Sequence, residues 1–340
     1  MRNQSRREFV CRTIPAALAA GSALALGPFR NAIAAQIPTA TQPYTGARFA
    51  LQFDGQFAGW LKSASGGHAL GDVVTEGATV NGIQRKHIAG LKYEDIVLIC
   101  GTGMSPSLYD WIKASFDRQF IPKNGSIVTC DFNGQAQYHQ NWYNSIISEI
   151  GFPACDVTSR APGSLMLNCT PEYTSLTKAN GAALPGAPTA PARNQLWLSD
   201  NFRLRITGLD CSGVTKIEAI TYKSAPNQNA VGTMRMPIGT PSVVQVPSLV
   251  VTLPEAQAAG FFQWFRASMV QGNAASDPGR PGLLEYLATG TGGSLFSLEF
   301  LGLALQKLMP ITASAGQGPS VKAVMTCKGL RFGYSAAACA

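Results

Sequence analysis

The chain of 340 residues is long enough for two domains of ordinary size. Charged residues make up 14% of it while glycine and proline number 35 and 21, which fits a turn-rich, strand-rich globular protein better than a helical bundle or a disordered chain and excludes a coiled coil. The first 35 residues hold five arginines and one glutamate and so carry half of the net charge of +8. No basic cluster with interleaved aromatic residues follows, so the composition predicts no nucleic-acid binding.

The first 35 residues have the order of an export signal. Arg6 and Arg7 precede an apolar pair, a weakly hydrophobic run follows, and a small-residue cleavage site ends at Ala35. This order resembles the twin-arginine signal. We therefore expect residues 1–35 to be a signal peptide and the mature chain to begin at Ala35 or Gln36. The export route leads to the periplasm or the extracellular space. The apolar run is too short for a membrane span, so no transmembrane segment is predicted in the mature chain.

The remainder of the chain contains a repeat. Residues 49–55 alternate apolar and polar side chains and end in a turn signal, and residues 202–208 repeat this pattern 153 positions later. The apolar stripe of a helix around Trp111 recurs around Trp264 at the same offset. Because two different landmarks share one offset, the sequence indicates one unit written twice.

The correspondence continues behind each helix at slightly larger offsets. Gly125 matches Gly282 at 157, and Cys169 matches Cys327 at 158. The offset changes only across turn-rich segments, where loops absorb insertions. We therefore predict a tandem duplication.

The duplication defines the predicted domain organisation. Its parts are domain 1 at residues 36–177, an Ala/Pro/Gly linker at 178–195, domain 2 at 196–334 and a C-terminal tail at 335–340. Each domain is predicted to be α+β and mainly β, a β-sandwich or partial barrel with one amphipathic helix. Pro106 after Ser105 predicts the start of the first helix. Predicted hairpin turns lie at Asn124-Gly125, Asn133-Gly134 and residues 290–293.

In the order and spacing of its segments, the repeated unit resembles the tail-tube protein family of contractile-tailed bacteriophages and related injection systems. The resemblance covers nearly the whole mature chain, and the segments that carry it are residues 44–55, 87–98, 108–116, 118–128 and 141–150, then 202–208, 246–253, the Trp264 helix and 282–286. It implies that such domains associate into six-domain rings around a channel and that rings stack into a tube. Two domains in one chain would give this ring from three chains. Phage tubes assemble in the cytoplasm, so the export signal departs from the family.

Residues that could carry chemistry do not form a recognisable motif. The three histidines, His68, His87 and His139, fall in separate segments and are interpreted as loop or structural residues. Glu94 and Asp95 are adjacent in a predicted strand, so their side chains should point to opposite faces.

Glycine-rich and sequon-like segments give no site either. Residues 101–104 and 290–293 lack the lysine and the strand-to-helix setting of a phosphate loop. The glycosylation sequon at residues 124–126 coincides with a predicted turn. The sequence predicts no catalytic residue, no cofactor-binding residue and no metal ligand.

Seven cysteines remain after residue 35, an odd number without metal-ligand spacing. Cys100, Cys130, Cys169 and Cys327 are interpreted as buried small apolar residues of strands.

Three functional hypotheses follow from these observations. The first is an exported, non-enzymatic structural protein that assembles with itself into trimeric rings of six domains, which could also stack into tubes. The second is a secreted bivalent binding or scaffold module without ring assembly. The third is an enzyme whose site has no recognisable signature.

Overall fold

The computed structural model describes residues 48–77, 82–185, 197–229, 238–271, 278–311 and 318–339. These residues form one compact unit. The predicted signal peptide and residues 186–195 of the predicted linker lie outside them.

The described chain is mainly β, with one α-helix in each half, so the predicted α+β, mainly β class is confirmed. The strands are β1 Arg48–Phe53, β2 Gln56–Gly66, β3 Ala69–Thr75, β4 Lys86–Tyr93, β5 Ile96–Cys100, β6 Lys123–Cys130, β7 Ala136–Phe152, β8 Cys155–Asp156, β9 Leu165–Thr170, β10 Tyr173–Lys178, β11 Trp197–Ile206, β12 Lys216–Ile217, β13 Ile220–Asn229, β14 Ile238–Gln245, β15 Leu249–Pro254, β16 Arg280–Ala288, β17 Ser294–Ile311, β18 Ser320–Thr326 and β19 Gly329–Tyr334. The helices are α1 Pro106–Phe116 and α2 Ala259–Phe265. A π-helical turn at Arg266–Val270 continues α2, and 3-10 turns occupy Glu255–Gln257 and Ala336–Ala338.

The first half forms a closed barrel of six strands. The antiparallel neighbours run in the order β7, β6, β1, β2, β5 and β9, and β9 pairs again with the C-terminal part of β7. The 17-residue β7 can serve both ends of this order because its two parts pair with different strands. Strand β10 adds to the outside of β7, and β3 and β4 form a separate two-stranded sheet.

The second half repeats most of these pairings in an open sheet. Its strands run in the order β11, β16, β17, β18, β15 and β12, and β19 adds to β17. Phe53 faces Gly125 in the pair of β1 and β6, and Ile206 faces Gly282 in the pair of β11 and β16. These pairs lie at the offsets of 153 and 157 seen in the sequence.

The match of Cys169 with Cys327 is wrong. In the first half, Ile147 of β7 faces Cys169 of β9. The equivalent pair in the second half is Leu305 of β17 with Met325 of β18. Cys327 lies two residues further on, behind the end of β18. The two cysteines therefore share a residue type but not a strand position.

The helices follow the predicted apolar stripe. Ser105 is extended with ψ 152° and Pro106 is the first helical residue, as the sequence predicts. Leu108 and Trp111 are buried on α1, and Phe261 and Trp264 are buried at the corresponding places on α2. Both helices therefore lie against the core of the compact unit.

One predicted turn is wrong and two are confirmed. Asn133-Gly134 and residues 290–293 connect strands, whereas Asn124-Gly125 lies inside β6. The glycine at 125 is needed for packing instead, because the indole of Trp142 occupies the place of a side chain, 2.4 Å from an added Cβ. The predicted sequon is thus part of a strand.

The seven cysteines of the described ranges are free thiols, and those that lie in strands are buried. Cys100, Cys130 and Cys169 are buried, as predicted, and Cys155 is buried as well. Cys327 is only partly buried and lies outside a strand, so that part of the prediction is wrong. Burial raises the pKa of the Cys155 thiol to about 12.

Candidate assembly surface

The two halves are joined by pairing between sheet edges. Strand β13 of the second half adds to β7 of the first, from Ile220 opposite Phe152 to Lys223 opposite Glu149. The Lys223 Nζ atom lies 3.2 Å from Glu149 Oε2 across this pair. The two-residue strands β8 and β12 also pair, so each large sheet includes strands from the other half. We call the pairing of β13 with β7 the internal junction.

Aromatic residues fill the space beside the internal junction. The ring of Tyr222 lies 4.3 Å from that of Phe116, and its hydroxyl donates to the backbone oxygen of Ser115 at 3.1 Å. Phe152 stacks on Tyr286 with 6.0 Å between ring centres. Desolvation raises the pKa of both tyrosines, so their hydroxyls stay neutral at physiological pH. The junction is therefore buried and built from both halves.

The C-terminal residues hold the second half against α1. The backbone oxygen of Ala338 accepts hydrogen bonds from Gly103 N at 2.7 Å and from the Tyr109 hydroxyl at 3.2 Å. Tyr334 donates to Asp110 Oδ1 at 2.7 Å, and this bond raises the pKa of Tyr334 to about 12. The predicted tail is thus packed structure up to Cys339.

The hairpin of β3 and β4 exposes apolar side chains. Val73 and Ile88 face each other across the hairpin and are 57% and 73% exposed, respectively. Ile88 covers Gly71, where an added Cβ would lie 2.9 Å from its methyl group. Val74 on β3 is also exposed. Among the described residues no strand pairs with the outer edge of β3, so backbone groups and apolar side chains are presented together.

A second open edge lies on β17. Its C-terminal part, residues 304–311, pairs with β18 on one side. On the other side the described chain places no strand, although β13 occupies this side of β7 in the first half. Ile311 at its end is 42% exposed. We call the outer edge of β3 and this side of residues 304–311 the two open edges.

Neither the two open edges nor the internal junction is marked by a motif in the sequence. Their signal is present in the repeat, because Tyr222 and Lys223 of the junction lie 153 residues after Ala69 and Leu70 of the exposed hairpin. Periodicity locates such strands, but the free or occupied state of an edge depends on distant parts of the chain.

The three histidines lie on different elements. His68 precedes β3, His87 lies in β4 with its Nδ1 atom 3.2 Å from Glu76 Oε1, and His139 lies in β7. No group of three or more potential metal ligands occurs in the parts of the chain that are described.

Two predictions about local setting are wrong. Glu94 and Asp95 lie in the connection between β4 and β5, because the chain turns there from the hairpin into the barrel. Residues 101–104 do connect a strand to a helix, β5 to α1. The loop contains no lysine, and its Gly103 N–H is occupied by Ala338. It is therefore no phosphate loop.

Lys62 and Cys100 are the closest approach to a reactive pair near this loop. Lys62 Nζ donates to the backbone oxygen of Gly163 at 2.6 Å, and desolvation lowers its pKa. Burial raises the pKa of Cys100 to about 12. Because only the thiolate is a strong nucleophile, this buried thiol is unreactive.

A surface groove of about 470 Å³ lies between α1 and the second-half sheet. Its charged residues are in ion pairs, which are Lys113–Asp117 at 2.7 Å, Arg205–Glu285 at 2.6 Å and Arg331–Glu299 at 3.6 Å. Such paired, exposed charges indicate a solvated sheet surface. For the described ranges, none of the helices has the length and apolar character needed to cross a membrane.

Comparisons with known proteins give structural likenesses only. No protein family and no curated protein matches the sequence. A chain of the sheath–tube complex of an extracellular contractile injection system, PVC in its extended state, is similar with a TM-score of 0.35 and 19% identity, over 41% of this chain and 95% of that one. The anti-feeding prophage cap, which terminates the tube, is similar with a TM-score of 0.35 and 20% identity, over 44% and 100%. Hcp1 from Flavobacterium johnsoniae is similar with a TM-score of 0.26 and 9% identity, over 39% and 95%.

Proposed function

We propose that this protein is an exported structural component that assembles with itself into rings of three chains and six similar domains. The proposal includes no catalytic step, cofactor or metal. The observation that carries it is the internal junction, in which β13 of the second half pairs with β7 of the first. The equivalent strands β3 and β17 are the ones that keep the two open edges in the described part of the chain. The two halves are interpreted as tandem copies of one unit, at residues 36–177 and 196–334.

The internal junction supports assembly because it is head-to-tail. It uses the hairpin of the second half and the long strand of the first. One hairpin edge and one long-strand edge therefore stay open in each chain, and they are of complementary kinds. A head-to-tail contact that is repeated between chains generates a closed ring or an open filament.

The covalent link favours closure with few chains. Each chain already contains one of the two contacts, so ring formation needs only one kind of encounter between chains. With six domain positions, three chains close the ring and cover the open edges, which removes an exposed template for aggregation. Because the halves differ, the ring has three-fold rather than six-fold symmetry.

The mass of the purified mature protein tests this proposal. Light scattering over micromolar concentrations is expected to give three chains, and electron microscopy with no symmetry imposed is expected to give three-fold rings. The same images report whether rings stack into tubes. A stable monomer would overturn ring assembly and favour the bivalent binding module, and any other chain number in the ring would contradict the three-chain arrangement.

Export is tested separately, since residues 1–35 lie outside the described part. Replacement of Arg6 and Arg7 by lysine is expected to leave the full-length precursor inside the cell, because the twin-arginine route requires the arginine pair. The matched control replaces Arg2 and Arg12, which flank the pair, and keeps export. Undiminished export of processed protein after the change at Arg6 and Arg7 would contradict this route.

A further inference from the structure

We propose that the outer edge of β3 pairs antiparallel with residues 304–311 of the next chain, with Leu70 opposite Lys307 and Ala69 opposite Leu308. This inference rests on the proposed ring and specifies its contact between chains. The occupant of each open edge is therefore a second copy of the same protein.

The register follows from the internal junction. In the hairpin of β3 and β4, Leu70 faces Lys92, and in that of β13 and β14, Lys223 faces Gln245. The pairing slips by one residue after Asp72 in the first hairpin and after Ala225 in the second, at the same place in each. Leu70 therefore occupies the position of Lys223.

The long strands β7 and β17 correspond equally closely. The pairing of β7 with β9 is interrupted by a bulge between Ile147 and Glu149, and that of β17 with β18 by a bulge between Leu305 and Lys307. Earlier in each strand one residue has a left-handed backbone, Asn144 with φ 49° and Gly302 with φ 61°. Both strands therefore change partners at the same point, and Lys307 occupies the position of Glu149.

These equivalences transfer the junction from within the chain to the contact between chains. Lys223 faces Glu149 in the internal junction, so Leu70 faces Lys307 between chains. The next pairs are Ala69 with Leu308 and His68 with Met309. Pro310 has no N–H group, so the ladder ends there and a longer, shifted pairing is disfavoured.

The chemistry of the two contacts differs. The internal junction carries the Lys223–Glu149 ion pair and the buried Tyr222 ring. At the corresponding places the contact between chains has Leu70, Lys307 and Ala69, so it contains no ion pair. It is held by backbone hydrogen bonds, by Ala69 against Leu308 on one face and by Leu70 against the alkyl chain of Lys307 on the other, which predicts that salt weakens it little.

Cysteine pairs test this register in the mature protein. Oxidation of a Leu70→Cys/Lys307→Cys variant is expected to link chains to one another, reversibly by reductant. The positive control is Lys223→Cys/Glu149→Cys, which should form a disulfide within one chain. The register control is Leu70→Cys/Ile311→Cys, because Ile311 lies four residues, about 13 Å, along the strand from Lys307. Cα atoms more than about 7 Å apart are not bridged, so the first variant should give on the order of tenfold more linked chains than the register control.

Mixing experiments separate this contact from a symmetric one. Leu70→Cys and Lys307→Cys single variants should link only when mixed, and the natural sequence under the same oxidation sets the background of its own thiols. A three-chain ring without linkage at Leu70 and Lys307, or with equal linkage at Ile311, would overturn the register and leave the proposed function standing. A monomer by light scattering would overturn the proposed function itself.

Discussion

The two halves of the chain share most of their strand pairings, yet only the first closes its barrel. The first half has an 11-residue β2 between β1 and β5, whereas β12, at the corresponding place, has two residues. The intervening chain makes turns instead: Asp210 accepts a hydrogen bond from Ser212 N at 2.9 Å, and Cys211 accepts one from Val214 N at 3.1 Å. Turn chemistry thus replaces strand alternation in the second half.

The open second sheet is completed by the first half. The short β12 pairs with β8 of the first half on one side and with β15 on the other. The halves also share one hydrophobic core. The second half therefore depends on the first for part of its sheet and of its core.

Replacement of Trp111 or of Trp264, the equivalent residues of the two helices, is expected to cause the largest loss of stability. Trp111→Ala and Trp264→Ala should each lower the free energy of unfolding by about 3–5 kcal/mol, because both side chains are buried. The change at Trp111 also removes the hydrogen bond from its Nε1 atom to the Ile121 backbone oxygen at 2.8 Å, and the change at Trp264 removes the contact of its ring with the Arg280 guanidinium at 4.8 Å. Chemical denaturation followed by circular dichroism measures both values.

The shape of those unfolding curves tests the shared core. If the halves depend on each other, each variant unfolds in a single transition at lower denaturant concentration. Two transitions, with only one of them shifted by Trp264→Ala, would contradict the dependence of the second half on the first.

A pair of glycines distinguishes the packing of the two halves. An alanine Cβ at Gly125 would lie 2.4 Å from the Trp142 ring and 2.8 Å from the Gln52 backbone oxygen, whereas at Gly282 it would meet the end of the Leu303 side chain at 2.6 Å. Gly125→Ala should therefore destabilise by about 1–3 kcal/mol, and Gly282→Ala by less, because a leucine methyl group can rotate away. Thermal unfolding of both variants measures the difference, and a larger effect at Gly282 would contradict this account.

The sequence predicts the repeated elements better than their closure. The apolar stripe around Trp111 and Trp264 and the alternation at residues 49–55 are local patterns, and the structure has the corresponding helices and strand. The local signal of Asn124-Gly125 is typical of a turn, whereas the neighbouring Trp142 requires glycine within a strand. The open edges of β3 and β17 depend on which distant strands pair with them, and no local sequence pattern contains this information.

The smallest expected effect concerns a hydrogen bond from a serine side chain to the backbone that occurs at equivalent places in the two halves. Ser115 Oγ donates to the Trp111 backbone oxygen at 3.0 Å, and Ser268 Oγ donates to that of Trp264 at 2.9 Å. Replacement by alanine removes about 1 kcal/mol of hydrogen bonding at a buried site, while the higher helix propensity of alanine offsets about half of it. Each change should therefore lower the free energy of unfolding by about 0.5 kcal/mol.

Because Ser268 lies in the π-helical turn, where alanine gains less from regular helix, Ser268→Ala should be slightly more destabilising than Ser115→Ala. Equilibrium denaturation of the two variants beside the natural sequence measures this, and a stabilised Ser268→Ala protein would show that the bond in the second half contributes nothing.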